Sequence, residues 1–560
     1  MQPITHPLTS IRFGIMCNGK DLAEWERQVV DHLLALPNVS LELLIVEKHK
    51  DEAPTSLTSK VLRLNRQRLL YTAYNKLLYK PTTLRRVSIS DLVARTPARV
   101  CQIQLKGKFS QYFKEKDIEE VAGFQLDFIL RFAFNIIRGK ILDVPQFGVW
   151  SFHHDDEMKY RGGPPCLWEI YHRDPVTGAI LQRLTDKLDG GVVLKKGFFR
   201  TKFYSYTGTI DMVYKESAYW PAAICRQLQL DPTQLDFATT TPTSAPIYYP
   251  PTNTQFLAFA TKVLRSKAQK VFEVLLRAES WNIGVVARPI QDFLQPELLR
   301  HTPIDTATLP TKTTFFADCF GRREAGGLQI YFEAYDYRTN RGNISRLAYP
   351  WQPPAAPEII MDFPFHLSYP FLIDTYCIPE SAADHKISLY TLGNAVQQPA
   401  GAALPGLAVP GIDPTVMHYE ERYWLFYTRY DRDADLNLYL AYADELQGPW
   451  QQHPQNPVKT DVRSARPAGT PFQHQGRWYR PAQDFSRGYG GGITINEILL
   501  MTPTAYAERP TVMLTSPHPD YPDGMHTLST LDEQHTIIDF KRHRFIAAAT
   551  WSRLRAMLPS

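Results

Sequence analysis

Cysteine is scarce and scattered. Six occur in 560 residues, at Cys17, Cys101, Cys166, Cys225, Cys319 and Cys377, and no two are closely spaced. This excludes a short-spaced zinc pattern and a disulfide framework, and fits a reducing compartment. Long apolar runs are missing too: no stretch reaches the roughly 18 residues that a membrane span needs. The opening MQPITHPLTSIRFGIMCNG has no charged segment followed by an apolar core, so it does not read as a signal peptide. The expectation is a cytoplasmic protein, with the Asn-X-Ser triplets at Asn38 and Asn343 incidental. There is no Gly-x-Gly-x-x-Gly and no Walker A loop, so a dinucleotide or nucleoside triphosphate site has no support. Neither sign of charge dominates. Sixty-two basic and 57 acidic residues leave +5, with no basic tail or Lys/Arg-rich helix, so nucleic acid is not indicated.

What is present is ordinary in bulk and specific in places. The length exceeds the size at which one core stops growing, so two or three domains are expected. Residues 1–230 alternate apolar strands (IRFGIMC, LELLIVE, VCQIQL, FGVWSFHH) with helical spacing (DLAEWERQVVDHLLAL). That pattern implies a mostly parallel α/β sheet, whose chemistry sits at the carboxyl ends of its strands. Residues 231–256 are rich in Pro and Thr and read as a linker, and 257–280 read as an amphipathic connecting helix. From 281 to 560 short strands with alternating aromatics recur at a spacing of roughly 45 residues, the spacing of propeller blades. Four full units and a terminal one predict five blades, with WNIGVVARPI supplying the strand that closes the ring.

The stretch SFHHDDEMKYRGGPP, Ser151 to Pro165, packs histidines, acids, a Lys and an Arg behind the apolar FGVW. With DPVTGAILQRLTDKLDGGVVL it resembles the catalytic domain of the folate-dependent formyltransferases, the group containing methionyl-tRNA, glycinamide ribonucleotide and sugar N-formyltransferases. The family motif is Asn-x-His-Pro-Ser, then Leu-Pro-x-x-Arg-Gly, then an Asp-x-Gly turn. KYRGG sets the register, which puts Ser151 at the Asn position, His153 at the His and His154 at the Pro, and makes Asp189 the family's catalytic Asp. FILRFAFNIIRGKILDVPQFGVW is similar to the segment lining the folate pocket. The resemblance implies a Rossmann-like domain that uses 10-formyltetrahydrofolate as donor. Ser151, His153 and Asp189 are the expected catalytic residues.

The residues by themselves leave the choice of histidine open. Strand alternation points neighbouring side chains to opposite faces, so only one of His153 and His154 is expected to face a site. Lys159 and Arg161 are candidates for holding an anionic acceptor group. Adjacent histidines lack the helical spacing of the common zinc motif, and no metal is expected.

In the second half FFADCFG, HLSYPFLI with CIPES, QGPWQQHPQNPV with VRSARPAG, and RWYRPAQDFSRGYGGGI resemble the five-bladed propellers of glycoside hydrolase family 43. They look closest to the propeller domain of the glucosamine inositolphosphorylceramide transferase family. The implied ligand is carbohydrate. Asp318, Glu380 and Asp413 are candidates at blade mouths, and Arg463, Arg466, Arg480, Gln483, Asp484 and His526 form a candidate polar patch near Tyr479 and Tyr489. Two carboxylates suffice for glycosidic chemistry, but acids also tie blades together, so catalysis, binding and structure all stay open. The combined expectation is formyl transfer to the amine of an amino sugar, a nucleotide sugar or another sugar-bearing acceptor. The rival is a carbohydrate-active propeller, glycosidase or glycosyl transferase, beside a degenerate formyltransferase-like domain.

Overall fold

The computed structural model describes residues 6–48, 66–107, 109–187, 190–299, 302–352, 356–392 and 401–557. The chain divides into two compact units, Met1–Lys267 and Ala268–Ser560. The division falls within one helix, Asn253–Leu276.

The first unit is built on a seven-stranded sheet. Its strands are β1 (Ile11–Cys17), β2 (Val39–Glu47), β3 (Ala98–Cys101), β4 (Phe128–Arg131), β5 (Val149–His153), β6 (Val176–Arg183) and β7 (Val192–Arg200), in the order β7-β6-β5-β4-β1-β2-β3. Strands β3, β2, β1, β4 and β5 run parallel, and β6 and β7 are antiparallel additions. The central strands are apolar on both faces because helices cover both, as parallel sheets require. Chain direction across the sheet reverses between β1 and β4, which makes their carboxyl ends the natural crevice. The helices Tyr206–Ser217 and Trp220–Leu230 are apolar and buried along most of their length, and the first is capped by the Ser205 hydroxyl, which accepts from Gly208 N.

The Pro/Thr-rich segment expected as a linker does not act as a free spacer. Ile247–Tyr248 pairs with Arg161–Gly162, and Phe237 is buried and stacked on Phe147 with ring centroids 5.0 Å apart. Two aromatic anchors override an otherwise polar composition.

Among the described residues the second unit holds five antiparallel sheets whose ladders run through at least four strands each. Strand Ala278–Val286, which contains the predicted WNIGVV, pairs along its whole length with Thr536–Arg544. Three sheets begin with a strand carrying the same irregularity. The register slips at Asp318, at Tyr369 and at Asp413, and each of these residues takes a positive φ, 52°, 45° and 48° respectively. A bulge of this kind redirects a side chain out of the ladder at a conformational cost, and such strain collects at functional sites.

Candidate functional sites

The first site lies at the carboxyl ends of β4 and β5. Ser151 and His153 share one face of β5, opposite Gln182 and Ile180 of β6. His153, Glu157, Arg161 and Gln182 line a small cavity of about 50 Å³, to which Thr241 and Thr243 also contribute. His153 Nε2 lies 3.3 Å from the Tyr160 carbonyl oxygen.

His154 faces the other way. It is buried, stacked on Tyr214 at 3.6 Å and edge-on to Trp25, and burial drives its pKa down to about 3, so it is a neutral core residue. Asp189 lies outside the described residues. Lys159 is tied to Asp174 at 2.9 Å and does not line the cavity, whereas Arg161 does, and its Nη1 donates to the Ala245 carbonyl.

Arg131, at the end of β4, carries a signal that the sequence reading did not single out. Its Nη2 and Nε donate to Ser151 Oγ at 2.9 and 3.1 Å, and its Nη1 donates to the carbonyls of Phe134 and Asn135. Burial lowers its pKa, yet a guanidinium remains a cation at neutral pH. Ser151 is therefore backed by a positive charge. The hydroxyl itself donates to the Phe152 carbonyl at 3.3 Å.

Beneath this site Asp155 and Glu169 form a buried carboxyl pair. Asp155 accepts the Cys166 N–H at 2.7 Å, while among the described residues neither Glu169 oxygen has a hydrogen-bond partner. Burial, followed for Glu169 by the Asp155 charge, raises both pKa values well above the usual carboxylate range. A raised folded-state pKa means that the fold binds the proton more tightly than the unfolded chain. The associated stability is complete below the unfolded pKa and is lost as pH rises through the folded one. Glu169→Gln is expected to be stabilised relative to the parent more at pH 8 than at pH 4, read as the difference in melting temperature at the two pH values.

The second site is a cavity of about 200 Å³ in the second unit, lined among others by Asp318, Glu333, Glu380, Arg466 and His526, with Trp281, Phe315, Tyr335 and Tyr489 as aromatic walls. Asp318 is raised to about 6, by burial first, with His526 pulling in the opposite direction. Glu380 and Glu333 are raised well above the carboxylate range, chiefly by burial, with neighbouring acids adding to it.

Asp413, aimed by its own bulge, is not exposed to the cavity. Arg466 Nε donates to it at 2.5 Å and Gln483 Nε2 at 2.6 Å. Arg466 also lies 3.6 Å from both Glu380 and Asp435. At the third bulge Tyr369 takes the place of an acid, and its hydroxyl accepts the Gly469 N–H at 2.6 Å.

His526 lies 2.5 Å from Asp539 and 3.7 Å from Asp318. Burial opposes its charge, but the two carboxylates outweigh burial and its pKa is raised. The three residues offer ligand atoms within 4.8 Å of one another. Asp539 is already occupied, because the backbone N–H groups of Asp318, His526 and Thr527 also donate to it. It acts as a clasp for the imidazole. Asp539→Asn is expected to make His526 titrate at lower pH than in the parent, followed by NMR of the ring protons.

The remaining predicted residues lie elsewhere. Arg480 is fully buried and paired with Glu508, Arg463 is paired with Asp461, and Asp484 caps the Ser486 N–H. Tyr479 packs on Phe472. Glu333 and Asp539 were missed because each sits in the second strand of its sheet, where spacing gives no blade-mouth signal; Trp281 was placed in a strand but not in a site.

The cavity combines acids and aromatic walls, the composition of a binding site for a small polar ligand. The family model described as glucosamine inositolphosphorylceramide transferase 1, N-terminal, matches residues 297–520, within this unit. The chain is 31% identical over 226 residues to glucosamine inositolphosphorylceramide transferase 1 of Oryza sativa subsp. indica, covering 37% of this chain and 30% of that protein. It thus spans about 30% of the length of this curated relative. It is also 31% identical over 109 residues to methionyl-tRNA formyltransferase of Agathobacter rectalis, covering 19% of this chain and 35% of that protein. Among solved structures, phosphoribosylglycinamide formyltransferase from Bacillus halodurans aligns at 13% identity and a TM-score of 0.24, over 40% of this chain and 92% of that one. A thermostable family-43 glycoside hydrolase aligns at 13% and 0.27, over 36% and 77%.

Proposed function

We propose that the chain is a carbohydrate-directed transferase with two sites. In this reading the first unit moves a formyl group from 10-formyltetrahydrofolate to the amine of an amino sugar, a nucleotide sugar or another sugar-bearing acceptor. The second unit, read as a five-bladed propeller of glycoside hydrolase family 43 type, binds carbohydrate. The same reading takes the protein as cytoplasmic and without a nucleic-acid partner.

The observation that carries the reading is the division between the two histidines. His153 faces a polar cavity beside Ser151 and its Arg131, while His154 is locked in the core. Formyl transfer needs a neutral amine, donors for the developing oxyanion and a proton for the leaving nitrogen. Ser151, backed by Arg131, suits the oxyanion, and His153 suits the proton. The role of Asp189 rests on the family register alone. The cavity beside His153 suits a one-carbon group but is far smaller than a pteridine ring, so any folate body must lie outside it. Five sheets, and the pairing of the unit's first long strand with one from its far end, support the propeller reading.

The test is calorimetric titration with 5-formyltetrahydrofolate, a stable analogue of the donor. Saturable micromolar binding is expected in the parent and in His153→Ala alike. Absence of binding in the parent would sink the formyl-transfer reading.

A second reading is glycosidic chemistry in the second unit. It is favoured by two carboxyl groups of one cavity in different settings: Asp318, raised to about 6 with His526 pulling it down, and Glu380, raised well above the carboxylate range by burial and the Asp413 charge. Under it, Asp318→Ala and Glu380→Ala abolish hydrolysis of aryl glycosides while His153→Ala leaves it unchanged.

A further inference from the structure

The cavity of the second unit holds more carboxyl groups than its cations can serve. Arg466 faces it but is committed to Asp413, with Glu380 and Asp435 sharing what remains. Lys541 is bonded to Glu279 and to the Tyr489 carbonyl. His526 is clasped by Asp539.

Glu333 is left over. It is 6% exposed and lines the cavity, its backbone is held in the ladder between Ala317 and Ile344, and its carboxyl group makes no hydrogen bond among the described residues. Its nearest basic atom is His366 Nε2 at 3.7 Å, too far for a hydrogen bond. His366 Nδ1 accepts the Gly342 N–H at 2.9 Å, so the ring is the neutral tautomer with its proton on Nε2, and burial lowers its pKa in the same direction. Burial and the neighbouring acids favour the protonated form of Glu333, and a cationic ligand seated beside it reverses that preference, so that the proton leaves and the carboxylate gains a partner. Around it stand Trp281, Phe315 and Tyr335, with Phe315 and Tyr335 stacked at 4.7 Å. Aromatic faces beside carboxylates favour an organic cation. The 200 Å³ volume is below the roughly 300–1,000 Å³ of sites for drug-sized ligands, which suits one sugar ring.

We propose that this cavity takes the protonated amine of an amino sugar, with Glu333 as the principal counter-ion and Asp318 and Glu380 beside it. The proposal rests on the reading of the second unit as carbohydrate-binding. It adds a discrimination: a sugar whose amine carries a formyl or acetyl group is neutral there and binds more weakly.

The test measures binding of glucosamine, glucose and N-acetylglucosamine to the full chain by calorimetry and saturation-transfer NMR. Glucosamine is expected to bind about tenfold or more tightly than either neutral sugar, the range of one charge-assisted contact. Glu333→Gln should remove that preference while keeping the affinity for the neutral sugars, which also shows that the variant is folded. Equal binding of all three sugars overturns the ammonium site and leaves the carbohydrate reading standing. Binding of none removes that reading and the proposal with it. A preference for glucosamine that survives in Glu333→Gln overturns the assignment of the counter-ion.

Discussion

Glu508→Ala is expected to destabilise the second unit by about 3–5 kcal/mol, the range for removing one partner of a buried ion pair. Arg480 is fully buried, and its Nε and Nη2 reach the two Glu508 oxygens at 2.9 and 2.6 Å. Lys459 Nζ joins them at 2.7 Å and the Tyr506 hydroxyl at 2.5 Å. Without the carboxylate, the fully buried Arg480 and the partly exposed Lys459 are left facing one another with no anion between them. The double variant Glu508→Leu with Arg480→Met is expected to recover most of the loss, because the fully buried guanidinium goes with its carboxylate and Lys459, 15% exposed, keeps Asn496 Oδ1 as an acceptor, and chemical denaturation of the three proteins decides the matter. Acid gives an independent reading. Burial opposes ionisation of Glu508, but Arg480 and Lys459 outweigh it and pull its pKa from 4.5 to about 2. A carboxylate with a depressed folded pKa contributes stability that is present above the unfolded value and is lost as pH falls through the folded one. The parent should lose that contribution between about pH 5 and pH 2, and the double variant should not.

Under the proposed formyl-transfer reading, His153→Ala is expected to cut that activity by about 10²- to 10⁴-fold, the usual worth of a positioned acid–base group, with little change in melting temperature. His154→Ala should do the reverse. The ring fills a site between Tyr214, Trp25 and Phe152, so its deletion is expected to cost about 2–5 kcal/mol, as for other large buried side chains, while the turnover of folded protein is kept. Single-turnover transfer of labelled formyl groups, normalised to folded protein, separates the two. Equal losses of turnover in both variants would remove the assignment of His153.

The strands of the first sheet were legible because continuous apolar runs such as IRFGIMC have few other homes. The opposite orientation of His153 and His154 followed from strand alternation alone. Arg131 was hidden because its meaning depends on Ser151, 20 residues later on a neighbouring strand. Arg480 looked like a site residue because an Arg among aromatics reads the same whether it faces a ligand or a buried glutamate 28 residues on. The docking of 231–256 was hidden for a related reason: Phe237 and Tyr248 are two aromatic residues in a run whose average is polar, and packing depends on the two rather than on the average.

The pairing of Ala278–Val286 with Thr536–Arg544 sets a constraint on biosynthesis. Glu279 and its partner Lys541 are 262 residues apart. At roughly 5–20 residues per second, the first strand leaves the ribosome tens of seconds before its neighbour has been made. During that interval its apolar, unpaired edge is open to other chains. Yield of the soluble protein should therefore respond to translation speed and to chaperone supply more than its final stability would indicate.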